Sequence, residues 1–204
     1  MKKILLTIFC IISFTAFSQD IKVKAGVNVP SFNAEYKALE KNKDVTDKNN
    51  VGFYVGAGYE YKMNNKFSLG AELLYNRLQY ESKLVNGYKE TFNMLSLPIS
   101  FNYYPIEKLS VGAGVNFNYL LKSEIKNSRN YTLPDQEDWY QEKEETTERY
   151  NKINYGIHFS ASYNIWKGLN IDARYYIGLG KINKEDDFFE TKFNNLQLGL
   201  SYKF

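Results

Sequence analysis

The chain has 204 residues and carries 18 Tyr and 14 Phe within an aromatic share of 17%, too heavy a load for a disordered segment, and its length fits one domain. Charged residues make up 24% and mean hydropathy is −0.48; no run of ~20 apolar residues occurs, so helical membrane spans are excluded. The net charge of +3 comes with no basic stripe, which argues against nucleic-acid binding, and a single Cys and a single His exclude a disulfide framework and a Cys/His zinc site.

Residues 1–18 have the three-part form of a secretory signal. Lys2 and Lys3 precede an apolar run from Ile4 to Phe14, and Ala16 and Ser18 place small residues before a cut at Gln19. Cleavage there removes Cys10 and lowers the net charge from +3 to +1. The mature domain is then 19–204.

From Ile21 onward the period is two. Ile21, Val23, Ala25, Val27 and Val29 form the first apolar face, and Val51 to Tyr61 the second. The series beginning at Phe67, Leu95, Leu109, Ile153, Leu169 and Leu196 supply six more. Alternation over such lengths marks half-buried strands. Tight turns fall at Met63-Asn64-Asn65, Pro105–Lys108 and Trp166-Lys167-Gly168; longer loops are expected near 30–50, 81–91, 122–152 and 181–192. Short turns alternating with long loops describe an up-and-down meander. Eight such strands can close into a barrel and so remove both sheet edges.

The glycines settle which face is outside. Gly26, Gly56, Gly58, Gly112 and Gly199 share the face opposite the bulky residues. An eight-stranded bore is only just wide enough to be filled by side chains, so the small residues belong inside. An outside made of Leu, Ile, Val and aromatics needs lipid as its solvent. The fold class is therefore all-β, an eight-stranded antiparallel up-and-down transmembrane β-barrel. Two aromatic girdles are expected: Tyr61, Phe67, Tyr103, Tyr104, Trp166, Tyr202 and Phe204 at the short-turn end, and Tyr75, Tyr80, Phe92, Tyr119 and Tyr155 at the loop end. Pro98 lacks a ladder donor in a strand with two neighbours, which predicts a bulge or a missing hydrogen bond.

The signal segment, the eight alternating strands, the stretch Leu95–Tyr104 and the closing strand Leu196–Phe204 resemble the porin-family outer-membrane β-barrel domain of Gram-negative bacteria. That resemblance implies residence in the outer membrane, among its lipids and lipopolysaccharide, as a monomer. It also implies that Leu198, Leu200, Tyr202 and Phe204 form the terminal signal read by the outer-membrane assembly machinery.

The inner face carries Lys22, Lys24, Glu60, Glu72, His158, Asp172, Arg174 and Lys203. Charges inside a narrow bore must be paired or solvated. Lys24, Glu60, Glu72, Asp172, Arg174 and Lys203 are taken as a lumen charge network. On this inner face Lys22, Lys24, Glu60 and Lys203 are grouped toward the short-turn end, and Glu72 faces Arg174 across the bore. Inner positions such as Gln197 are expected to tolerate substitution, and outer ones such as Leu198 are not. His158 with Ser160, Ser162 and Asp172 invites comparison with a hydrolytic triad, and some small outer-membrane barrels modify lipid A. No motif here marks such a site, so an enzyme is not expected. No cofactor or metal is expected either.

Between residues 135 and 148 seven carboxylates oppose Lys143 alone, a net of six negative charges, with Trp139, Tyr140 and Tyr150 interleaved. Such a run is a solvated loop, a recognition surface or a Ca²⁺-bridged contact to lipopolysaccharide, and no spaced calcium-loop pattern selects the last. The functional reading is an envelope structural or interaction protein with a largely plugged lumen. A narrow channel for small solutes or ions is the alternative, and a lipid-modifying enzyme a remote one.

Overall fold

The computed structural model describes residues 19–36, 42–44, 51–81, 88–133, 136–184 and 189–204. Ten strands follow in order: β1 (Gln19–Tyr36), β2 (Asn42–Asp44), β3 (Gly52–Lys62), β4 (Phe67–Glu81), β5 (Tyr88–Ile106), β6 (Leu109–Leu133), β7 (Gln136–Glu145), β8 (Ile153–Trp166), β9 (Leu169–Gly178) and β10 (Phe189–Lys203). Among the described residues one 3-10 turn covers Thr147–Arg149. All neighbouring strands are antiparallel, and β10 pairs β1 to close the ring. β1, β3, β4, β5, β6, β8, β9 and β10 form an eight-stranded barrel; β2 and β7 are additions on β1 and β6 outside it. Among the described residues no helix is long and apolar enough to cross a membrane.

The ladder fixes the tilt. One row of paired residues runs Asp20, Glu60, Gly70, Ser100, Gly114, His158, Tyr176, Asn195 and returns to β1 at Pro30. The return lands ten residues up the strand from Asp20. A stagger of that size over eight strands tilts them by about 40°. At ~3.3 Å per residue the outward run Val51–Tyr61 then rises roughly 25 Å, the height of an apolar membrane band.

The outward face is apolar and uncovered. Val55, Leu73, Ile99, Val115, Phe159, Ile171 and Leu200 are all exposed. A belt this size would not survive in water. Phe67 packs on Phe101 and Tyr103 at the short-turn end, with ring centroids 5.5 and 5.3 Å apart. Tyr119 and Tyr155 are exposed toward the other end. Three aromatics assigned to the girdles lie elsewhere. Tyr104 turns into the bore, where its hydroxyl donates to Glu60 Oε1. Phe92 is buried at 3% exposure inside the loop end of the barrel, and Tyr80 packs against the same cluster. Aromatics are favoured in both places, so composition alone does not separate them.

The expected long loops are mostly strand. β6 continues to Leu133 and turns back as β7, pairing Glu124 with Glu145 through to Leu133 with Gln136. Likewise β1 and β10 stay paired out to Tyr36 and Phe189. Backbone pairing does not require an apolar face, so the ladder outlasts the hydrophobic alternation. A register shift at Asn93/Met94 leaves Leu121 as an extra residue on β6, which reverses the inward parity beyond it.

Pro98 shows the expected missing bonds and no bulge. β4 and β5 pair at Ala71 with Ile99 and again at Leu74 with Ser96, with nothing between and no change of register. On its other side Pro98 still faces Asn116. Gly26 and Gly199 face each other across the closing seam, and the ring of Tyr54 lies over both. A Cβ on Gly199 would sit 2.4 Å from the Tyr54 hydroxyl, so only glycine leaves room for that ring in the bore.

Candidate functional site: a packed bore and a charged outer rim

Inward parity stacks the bore in layers. At the short-turn end, Lys22 pairs with Glu60, which also accepts from Ser68 and Tyr104. Lys203 pairs with Asp20, and Lys62 reaches the same Asp20 carboxylate at 3.3 Å. Asp20 was absent from the sequence reading, although it shares the inward parity of Lys22 and Lys24; the first strand simply begins earlier than its apolar run. Lys24 does not join this end group. It rises to Glu72 at 3.0 Å and stands 3.6 Å from Asp172.

One level up, Arg174 Nη2 donates to Glu72 Oε2 at 2.7 Å. Glu72 therefore holds two cations at once, from β1 and β9, across the bore from β4. Gly58 and Gly70 provide the depth for this network, and Ser100, Ser160 and Ser162 line the same cavity. The space left over is about 30 Å³. That is room for a few waters at most and for no solute.

Above the charges lies an amide layer that the sequence reading missed. Gln197 Nε2 donates to Asn76 Oδ1 at 2.8 Å and to Asn28 Oδ1 at 3.1 Å. Asn76 donates to Ser96 Oγ at 2.8 Å, and Ser96 donates to Asn118 Oδ1 at 2.5 Å. This chain of donors and acceptors crosses the bore from β10 to β6. Its only signal in sequence was the even spacing of uncharged polar residues, which draws no attention as chemistry. Gln197 is buried within it, so the expected tolerance of that position does not hold.

The loop end of the bore is apolar. Phe32, Leu78, Phe92, Met94, Leu120, Tyr176, Ile182 and Phe193 form one cluster, with Phe32–Phe92 centroids 5.5 Å apart and Tyr176–Phe193 5.0 Å apart. His158 is fully buried below it, and neither ring nitrogen has a hydrogen-bond partner among the described residues. No serine or aspartate orients that imidazole; Asp172 is turned toward Lys24 instead. The geometry of a triad is not assembled. No cluster of three or more metal-ligating side chains occurs among the described residues.

Outside the bore, Glu124 accepts from Lys122 and Lys143, each at 2.8 Å, on the outward face of the β6–β7 hairpin. Those two hydrogen bonds hold its carboxyl down at about 2 from an ordinary 4.5. A depressed acid stabilises the fold fully above its unfolded value and loses that contribution as pH falls through the folded one. The hairpin should therefore loosen between pH 4.5 and 2. Hydrogen exchange of the β7 amides, corrected for intrinsic rates, should accelerate over that window in the wild type and change less in Glu124→Gln. The remaining part of the acidic 135–148 run, Asp135 to Glu142, has side chains outside the described residues.

A closed, tilted ring with an apolar outside and a polar, charged inside defines an outer-membrane β-barrel. The family model described as "Outer membrane protein beta-barrel domain" matches residues 17–184, and the chain belongs to that family. It is thus a protein of the Gram-negative outer membrane. Among solved structures, Ail, the attachment invasion locus protein of Yersinia pestis, in complex with the heparin analogue sucrose octasulfate, has a TM-score of 0.51 and 15% identity, covering 92% of this chain and all of that one. Neisserial surface protein A has a TM-score of 0.47 at 12% identity, covering 92% and 97%. OprG from Pseudomonas aeruginosa has 0.44 at 12%, covering 92% and 96%. At these identities the likeness concerns the fold. No curated protein sequence matches the chain.

Proposed function

We propose that the protein is a non-conducting, non-enzymatic barrel that serves the envelope through the sheet it raises above the membrane. The observation that carries this reading is the filled bore. The ion network of Lys24, Glu72, Asp172 and Arg174, the amide chain and the aromatic cluster block it at three successive heights. A conducting eight-stranded barrel would need all three to move, since open porins use ~16 strands. In planar bilayers the purified protein should be silent or flicker rarely. A steady open state would instead establish the narrow-channel reading.

The outer sheet is the working surface in this proposal. β6 and β7 extend beyond the lipid belt and carry the acidic run. Six net negative charges repel a sulfated sugar, so the ligand in the Ail structure is not carried to this chain. Export by a cleaved signal is part of the same reading: Gln19, where the proposed cut leaves the chain, already lies in β1. N-terminal sequencing of the membrane form should start at Gln19, and an intact Met1 would defeat this. Leu198, Leu200, Tyr202 and Phe204 all face outward on the closing strand, where assembly machinery could reach them before closure.

A further inference from the structure

Short turns of an outer-membrane barrel face the periplasm, and the three tight turns of this chain share one composition. Each sets a large apolar side chain beside a lysine: Met63 with Lys66, Ile106 with Lys108, and Trp166 with Lys167. Met63, Ile106 and Trp166 are all more than half exposed, and the three lysines are exposed with them. Among the described residues none of these lysines has an ion-pair partner. Lys22, Lys62 and Lys203 on the adjoining strands are taken up by Glu60 and Asp20. Glu107 is the only carboxylate on the three turns.

The backbone holds these lysines in place. The amide of Tyr104 donates to Lys66 O at 2.8 Å, that of Asn164 to Lys108 O at 2.7 Å and that of Lys203 to Gly168 O at 2.9 Å, so each turn is tied to the next strand of the ring. The third turn is also strained. Lys167 has φ 32° and Gly168 φ 90°. A two-residue hairpin turn with both central residues in the left-handed region favours Asn-Gly. Lysine at the first position carries a backbone cost that asparagine largely avoids. Its ammonium stands 5.8 Å from the centre of the Trp166 ring. Strain kept at an exposed residue points to a use for its side chain.

We propose that the periplasmic turns anchor anionic glycerophospholipids of the inner leaflet, with Lys66, Lys108 and Lys167 on the phosphodiesters and Met63, Ile106 and Trp166 in the acyl boundary beside them. The proposal rests on the membrane placement above and adds a choice of lipid to it. Phe67, next to Lys66, packs on Phe101 and Tyr103, so that lysine stands where the aromatic girdle ends. Ammonium groups donate charge-assisted hydrogen bonds to phosphate oxygens. A soluble polyanion would use the lysines and leave the three apolar side chains in water, whereas a lipid surface solvates both members of each pair. Cations at a lipid surface act together, so preference for an anionic headgroup rises with each one.

The test reads which lipid lies next to Trp166. In a Trp139→Phe background Trp166 is the one tryptophan left. The whole protein is refolded into mixed vesicles of phosphatidylcholine and phosphatidylglycerol with matched chains, one lipid brominated at a time. Quenching of Trp166, taken relative to each variant's signal in unbrominated vesicles, gives the headgroup preference at the turns. Phosphatidylglycerol should be favoured roughly fivefold or more, and added salt should erode that preference. The triple variant Lys66→Gln, Lys108→Gln, Lys167→Gln should fall near parity while keeping its heat-modifiable gel mobility. Lys89→Gln, Lys126→Gln, Lys143→Gln makes the same charge change at the loop end and should keep the preference. Lys167→Asn alone should lower it part way, yet unfold at an equal or higher urea concentration in pure phosphatidylcholine, because asparagine suits that φ. No preference in the parent, or equal loss in both triples, would overturn the proposal. So would a headgroup-indifferent protein that sediments with purified peptidoglycan through the same lysines, a result that would assign the turns to the cell wall. Failure to insert at all would overturn the membrane reading itself.

Discussion

Leu73→Arg should nearly abolish folding into lipid vesicles, whereas Ser160→Asp should fold close to wild type. Leu73 is exposed at mid-belt on β4. An arginine there meets hydrocarbon, at a cost of ~2–4 kcal/mol near the midplane. Ser160 points the other way, into the small polar cavity beside Arg174, so a carboxylate added there takes little extra room and gains a cation neighbour. The fraction folded is read from heat-modifiable gel mobility after refolding into vesicles, which needs no assembly machinery. Equal sensitivity at the two positions would mean that the faces are assigned inside out. Gln197 would be a poor inward comparator, because it is locked between Asn28 and Asn76.

Glu72→Ala should destabilise the barrel more than Arg174→Ala. Glu72 binds both Arg174 and Lys24, at 2.7 and 3.0 Å, so its removal strands two cations with Asp172 as the remaining anion. Removing Arg174 leaves Glu72 still paired to Lys24. Orphaning a buried charge costs ~3–5 kcal/mol in a dry site, and the few waters the cavity can admit will soften that. The double variant should recover part of the loss, because contacting residues are not additive. Urea unfolding in vesicles measures the stabilities. If the network also holds the bore shut, Glu72→Ala should flicker open more often in planar bilayers. Additive losses with unchanged conductance would show that this contact neither couples nor closes.

Much of the barrel was readable because one rule, period two, runs through every strand. Parity alone set Leu73 outward and Glu72 inward, and the glycines chose between water and lipid. The errors have a common cause. Apolar alternation reports where lipid is, not where hydrogen bonding stops, so β7 and the outer half of β6 read as loop. The extra residue at Leu121 then reversed the parity on which the reading relied, hiding that Ser123 and Ile125 point inward. Tyr104, Phe92 and the amides of Asn28, Asn76 and Gln197 were visible as residues. Their roles depend on neighbours from strands distant in sequence, which no local pattern carries.

The seam between β1 and β10 carries a kinetic consequence. Its register runs from Lys22 with Lys203 to Tyr36 with Phe189, joining segments at opposite ends of the sequence. Pairing of such separation is the slowest kind to form, because most of the chain must be placed before it gains anything. Until it forms, both strands present bare amides and carbonyls, which hydrocarbon cannot solvate. Once formed, it behaves as a zipper whose teeth must part together, since no water waits in the lipid to take up each broken bond. The finished barrel should therefore persist far longer than its equilibrium stability alone would require. Its lifetime in the membrane is set by how rarely that zipper opens.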